Sequence, residues 1–267
     1  MAAEIEERRL TLWQGKVATE IEVSGSGPPL LYLHGPWGLA PDRGFVARLA
    51  ASHKVYAPKH PGTSSGDPDA AHRVDTFWDL VVYYDELLDR LDLERLAVAG
   101  HSFGGLVAAE LAAMAPRRVR KLVLIDPVGL WRDDHPVQNW MIMPEVERPK
   151  ALFADPASDA AKRFFTQPAD KDARVASIVG IVWAQACTGK FIWPIPDKGL
   201  KRRIHRIVAP TLVLWGKEDG IADQIYAAEF TSRIAGSRAE LIDRAGHLPH
   251  LEQGERVASL VATFLAG

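Results

Sequence analysis

Short apolar runs alternate with amphipathic stretches along most of the chain, and the period of the apolar positions changes with them. Residues 9–13 and 16–23 read as two strands around a Gln14-Gly15 turn, an opening hairpin. "LLYLHG" (30–35) is a fully apolar strand running into a loop, and "KVYAP" (54–58) is another. Over 74–93, Phe77, Leu80, Val81, Tyr84, Leu87, Leu88 and Leu91 recur at helical spacing and predict a long helix. A strand follows at 95–99, then a bend at Ser102, then a helix over 103–115 that stops at Pro116. "KLVLID" (121–126) and "TLVLWG" (211–216) are continuously apolar, as strands covered on both faces are. "AELID" (239–243) reads as the last strand and Val257 to Leu265 as the last helix.

This alternation predicts an α/β fold: a mostly parallel, eight-stranded, doubly wound sheet with an antiparallel start. The rhythm breaks between "KLVLID" and "TLVLWG". Residues 132–205 hold several prolines, no long β-run, and helix-like pieces such as "DAAKRFFTQ" and "RVASIVGIVWAQA". The expected organisation is a core in two parts, 1–131 and 206–267, with 132–205 inserted as a helical cap over the strand C-terminal ends. Ligands bind at those ends in open α/β sheets.

Composition narrows the classes. The 267 residues are 47% hydrophobic and 25% charged, enough for a sizeable core. A net charge of −2 gives no basic surface for nucleic acid or anionic membrane. The unbroken apolar runs are far shorter than a membrane span, and "MAAEIEERRL" lacks the apolar core of a signal peptide. The expectation is a soluble cytoplasmic protein, monomer or homodimer, with no nucleic-acid or membrane partner. The single cysteine, Cys187, has no basic residue nearer than Lys190 to activate it and is expected to pack in a helix. With no CxxC or HExxH spacing and no cluster among nine histidines, no metal is expected.

The chemistry starts at "GHSFGG". A G-x-S-x-G pattern between a strand and a helix pushes the serine hydroxyl out of the sheet, while small residues at 100 and 104 let strand and helix pass closely. The following helix N-terminus aims amides and its positive dipole end at developing negative charge. A hydroxyl is a poor nucleophile near neutral pH and needs a base. "RAGHLPHLEQ" offers His247, in the loop after the last strand, and His250, better read as support for that loop. The base needs an acid to fix its tautomer. Asp219 in "LWGKEDGIAD" follows a core strand; Asp126 at the end of "LID" is the next candidate, and Glu218 and Asp223 are neighbours. "HPGTSSGD" (60–67) lacks phosphate-loop spacing, and His60 is read as structural.

With these motifs in order — "LHGPWG", "PKHPGTSSG", "GHSFGG", "GKEDGI" and "AGHLPHLEQ" — the chain resembles the α/β-hydrolase family over nearly its whole length. The resemblance implies Ser102 as nucleophile, His247 as base, Asp219 as acid, a cap near 132–205, and no cofactor. Serine at the bend speaks against the family's haloalkane dehalogenases and epoxide hydrolases, which use aspartate there. Within the serine members the chain is similar to capped carboxylesterases, carbon–carbon bond hydrolases of aromatic-ring degradation, and cofactor-free haloperoxidases.

The family's oxyanion hole takes one N–H from the residue after the nucleophile, here Phe103, and one from the residue after the His-Gly pair. That residue is Pro36, which has no N–H. Trp37 is the substitute donor if the loop is shifted by one. His34, Gly35, His101, Trp131, Trp140, Trp183 and Leu248 are the candidate pocket wall. The favoured reading is hydrolysis of small-molecule carboxylic esters with an apolar or aromatic part. Two rivals stand beside it. Carbon–carbon hydrolysis of a vinylogous diketone acid would need a cationic or polar pocket for the substrate's carboxylate, which Arg148, Lys162, Arg163, Lys190 or the 201–203 run could supply. A ligand sensor on a hydrolase scaffold is motivated by Pro36.

Overall fold

In the computed structural model, which describes residues 4–64 and 66–267, the strands are β1 (Ile5–Leu12), β2 (Val17–Ser24), β3 (Pro29–Leu33), β4 (Lys54–Pro58), β5 (Leu96–His101), β6 (Val119–Ile125), β7 (Thr211–Gly216) and β8 (Ser237–Ile242). They form one sheet in the order β1-β2-β4-β3-β5-β6-β7-β8. Only the β1–β2 and β2–β4 pairs are antiparallel. The eight-stranded, mostly parallel sheet with an antiparallel start is the arrangement the apolar pattern predicts. Trp13, Gln14 and Gly15 all take positive φ in the first turn.

The helices are α1 (Arg43–Leu49), α2 (Ala70–Arg73), α3 (Phe77–Arg90), α4 (Phe103–Met114), α5 (Arg148–Leu152), α6 (Asp159–Phe165), α7 (Lys171–Ile192), α8 (Leu200–Arg203), α9 (Ile225–Thr231), α10 (Pro249–Glu252) and α11 (Gly254–Ala266). The long helix expected over 74–93 is shorter, because Thr76 starts it: its side chain accepts from the Asp79 amide, and Asp79 accepts from the Thr76 amide. Such a box is worth about 1 kcal/mol. The short α1 and α2 carry too few periodic positions to be read from sequence.

Alternate residues of the central strands feed two cores, which is why those strands read as unbroken apolar runs. Leu31, Leu33, Val98, Leu122, Leu124 and Val213 pack with α3 and α4 on one face. Leu30, Tyr32, Ala97, Ala99, Val123 and Leu212 pack with α1 and α11 on the other.

Helices α5 to α8 all lie between β6 and β7, in the stretch where the strand–helix rhythm fails. Arg203 on α8 holds the fully buried Glu110 of α4 by two hydrogen bonds, 2.7 and 3.0 Å, fastening this insertion to the core. Removing one partner of such a pair costs about 3–5 kcal/mol, because a buried charge is left unpaired. α7 begins where Asp170 accepts from the Ala173 amide (2.8 Å). Most of it from Ala184 onward is buried, while Val175, Ile178, Val179 and Val182 before that point are exposed. By length and composition α7 is apolar enough to cross a membrane. Counting unbroken apolar runs misses this, because Ser177, Gly180, Gln185 and Thr188 interrupt them. Cys187 is buried in α7 as expected, and burial pushes its thiol up to about 11.

Candidate active site

The bend at Ser102 follows from two glycines. A Cβ on Gly104 would lie 2.1 Å from the Leu33 carbonyl oxygen, and one on Gly100 would lie 2.3 Å from the Gly104 carbonyl oxygen. Only glycine lets β5 and α4 pass this closely. Ser102 between them takes φ 51°, ψ −113°, a sparsely populated conformation that costs on the order of 1–3 kcal/mol. Its amide donates to the Ile125 carbonyl (2.9 Å) and its carbonyl accepts from Leu106 (3.1 Å), so strand and helix both hold the strained residue. Phe103 is the first residue of α4, where first-turn amides have no intrahelical acceptor.

His247 lies in the loop after β8. Its Nε2 is 2.8 Å from Ser102 Oγ, and its Nδ1 is 2.8 Å from Asp219 Oδ2. The neutral imidazole therefore donates from Nδ1 to the carboxylate and accepts the serine proton at Nε2. The other Asp219 oxygen accepts from the amides of Ile221 (2.8 Å) and Ala222 (3.0 Å), which fixes the carboxylate in place. Ser102 and His247 are fully buried.

Asp219's neighbours have other work. Glu218 accepts from the Ala245 amide (3.0 Å) and Glu252 from the Gly246 amide (2.6 Å), so both acids grip the loop that carries His247. Glu252 also accepts from the Ala154 amide, tying that loop to the insertion. Asp223 accepts from the Ile225 amide and pairs with His135. Asp126, the other candidate acid, is buried at the end of β6 and accepts from the Gly216 amide (2.8 Å). The gripping roles of Glu218 and Glu252 escape sequence reasoning; their only signal is an acid one residue before Asp219 and another five after His247.

Three further histidines brace the site from behind. His101 donates from Nε2 to the His247 carbonyl (2.8 Å). His34 donates from Nδ1 to the Gly35 carbonyl (2.7 Å), and its Nε2 accepts the His60 amide (3.2 Å). His60 donates from Nε2 to the His34 carbonyl (2.8 Å) while its Nδ1 meets the Tyr84 hydroxyl. Burial lowers the pKa of all three, well below the ordinary histidine range for His60 and His101. All three are therefore neutral scaffold groups, as expected for His60. His250, on α10, pairs with Asp42 (3.0 Å), whose other oxygen accepts from Tyr32 (2.8 Å). It precedes the final helix rather than starting it.

The other candidate wall residues are distributed unevenly. Trp37 stands edge-on to His247 (5.9 Å between ring centroids) and touches Trp140 and Phe164. Trp140 is buried and also packs on Trp193; Leu248 is buried in the same core. Trp131 is half-buried, with its indole N–H donated to Asp133 (2.8 Å), and Trp183 is 39% exposed on α7. Phe103 stacks on Phe191 of α7. Of the cations considered for a carboxylate, Lys190 is bonded to the carbonyls of Ala71 and Val74, and Arg203 is committed to Glu110. Arg148 contacts the Met143 carbonyl, and Lys162, Arg163, Lys201 and Arg202 are exposed.

Among the described residues, two groups of side chains are close enough to share a metal ion by proximity: Asp42 with His101 and His250, and Asp126 with Asp219 and His247. In the first, His101 Nδ1 faces Gly35 so closely that a methyl there would lie 2.6 Å away. In the second, the Asp219–His247 hydrogen bond already occupies the facing atoms. In each group two of the three members are already joined by a hydrogen bond, His250 with Asp42 and His247 with Asp219.

Comparison with known proteins identifies the family. A sequence model described as the alpha/beta hydrolase family matches residues 30–260. A 2-hydroxymuconate semialdehyde hydrolase of Pseudomonas sp. (strain CF600) is 29% identical over 94% of this chain and 91% of its own. Among solved structures, 2-hydroxy-6-oxo-6-phenylhexa-2,4-dienoate hydrolase from Rhodococcus sp. strain RHA1 aligns over 99% of this chain and 100% of its own, with TM-score 0.73 and 21% identity. Naproxen esterase from Bacillus subtilis aligns over 98% and 92%, with TM-score 0.73 and 19% identity. At these identities the structures speak for the fold alone.

Proposed function

Because the chain belongs to the alpha/beta hydrolase family and is a hydrolase, we propose that it cleaves carboxylic esters of small to medium apolar or aromatic substrates through an acyl-enzyme on Ser102. The observation that carries this reading is the chain of hydrogen bonds from Ser102 Oγ through His247 to Asp219, with the serine on a strained bend at a helix N-terminus. His247 Nε2 takes the serine proton as Oγ attacks the ester carbonyl, and Asp219 stabilises the imidazolium. The oxyanion develops beside the Phe103 amide at the positive end of α4. Pro36 offers no N–H, so Trp37 supplies the second amide. His247 then returns the proton to the leaving alcohol, activates water against the acyl-enzyme, and restores the serine.

The enclosing residues suit an apolar acyl or aromatic group: Trp37, Trp140, Phe103 and Phe164 are aromatic, and a few polar groups fix the reacting atoms. The partner this requires is a small-molecule ester; the inserted helices act as its cap, and no cofactor takes part.

A second reading, carbon–carbon hydrolysis of a vinylogous diketone acid, is favoured by the name of the Pseudomonas relative. Against it, each cation proposed to receive the substrate's carboxylate is either bonded elsewhere or exposed. Hydrolysis of p-nitrophenyl esters of increasing acyl length, set beside a dienoate diketone acid, separates the two. Ester turnover that disappears in Ser102→Ala supports the esterase. Turnover of the diketone acid alone would replace it.

A further inference from the structure

Asp126 directly follows β6 with a positive φ of 41°, and its amide donates to the Leu214 carbonyl (2.9 Å), prolonging the β6–β7 pairing by one step. This turns its carboxyl under the loop that carries Asp219. One oxygen accepts the Gly216 amide (2.8 Å); the other is buried and has no hydrogen-bond partner among the described residues. One oxygen of Asp126, one of Asp219 and a ring nitrogen of His247 all lie within 4.8 Å of one another. The ionisable groups facing Asp126 are Asp219 after β7, Glu252 on α10 and His247 after β8.

Two buried carboxyls this close are not both ionised at neutral pH, because in the low-dielectric interior each negative charge raises the cost of the other. The hydrogen bonds decide where the single negative charge sits. Asp219 receives three donors, from Ile221, Ala222 and His247, while Asp126 receives only Gly216. The anion therefore belongs to Asp219. Burial first, and the Asp219 charge second, hold the Asp126 carboxyl well above the usual carboxylate range.

Building on the reading of Asp219 and His247 as acid and base, we propose that Asp126 is a positioning residue, a neutral carboxylic acid whose O–H points at the Asp219 carboxylate. It gives the unpartnered oxygen a role as donor, steadies the Asp219 carboxylate, and draws charge away from it. A less basic Asp219 holds the imidazolium less tightly, so His247 stays deprotonated to lower pH.

The test compares Asp126→Asn with Asp126→Ala. An asparagine amide reproduces the neutral acid, one oxygen accepting from Gly216 and one N–H donating to Asp219, so the acid limb of kcat/KM keeps its position. Alanine removes the donor, and the limb moves up by about one pH unit, the scale of one hydrogen bond. If Asp126 were an anion, asparagine would delete a negative charge beside His247 and move the limb down; that result overturns the proposal. Infrared difference spectroscopy reads the proton without turnover. At pH 7 the native protein shows a protonated-carboxyl C=O stretch that Asp126→Asn lacks, and absence of that band in the native protein also overturns the proposal. The same spectrum taken on Ser102→Ala is independent of ester hydrolysis, so failure of the proposal and failure of the esterase reading are told apart.

Discussion

His101 Nε2 donates to the carbonyl of His247 across 2.8 Å, so the residue before the candidate nucleophile fixes the loop that carries the candidate base. The two rings lie 5.3 Å apart, with Trp37 against both. His101→Leu keeps the volume and loses the donor. It is expected to lower kcat by about 10- to 100-fold while the far-ultraviolet circular dichroism stays native, since a misplacement on the order of 1 Å costs this much. An unchanged kcat would show that the His247 loop holds itself.

Asp219→Asn tests the assigned acid separately from the fold. An amide in place of the carboxylate still accepts from Ile221 and Ala222 through its oxygen but presents N–H to His247 Nδ1. That favours the wrong tautomer, and in a triad of this kind kcat falls by about 10⁴. KM is expected to change little. A loss below tenfold would move the role of acid to another residue, with Asp126 the nearest carboxyl.

Stability should fall on the acid side through the buried histidines. His34, His60 and His101 have pKa values lowered by burial from the ordinary 6.5, so the native protein keeps them neutral while the unfolded chain takes up protons near that value. A group depressed in this way stabilises fully above its unfolded pKa, and the contribution is lost as pH drops toward the folded pKa. The urea midpoint should therefore be flat from pH 8 to 7 and decline steadily from about 6.5 downward. A midpoint that holds between pH 7 and 5 would mean that these rings ionise in place.

Much of this architecture is legible in the residues. The continuous runs of β5, β6 and β7 announce a sheet covered on both faces, and the glycines around Ser102 announce the bend. Motif context, loop position and chain order together bring Ser102, His247 and Asp219 forward, and they meet at hydrogen-bonding distance. What stays hidden depends on long-range packing. Nothing local says that Glu218 and Glu252 grip the His247 loop, that His101 reaches its carbonyl, or that Gly35 must lack a side chain because His101 Nδ1 lies against it. The short α1, α2 and α10 have too few turns to show a period. The insertion, where apolar residues serve both its own packing and the enclosure of the site, does not reveal which face each side chain takes.

The central claim is that Ser102 is the activated nucleophile. It is tested most directly by intact-protein and peptide mass spectrometry after treatment with a small alkyl fluorophosphonate, whose phosphorus is attacked by an activated serine with loss of fluoride. A single adduct on the peptide holding Ser102, absent in Ser102→Ala and strongly slowed in His247→Ala, is the predicted result. Labelling elsewhere, or a native protein that stays unlabelled while Ser102→Ala behaves identically, would contradict it.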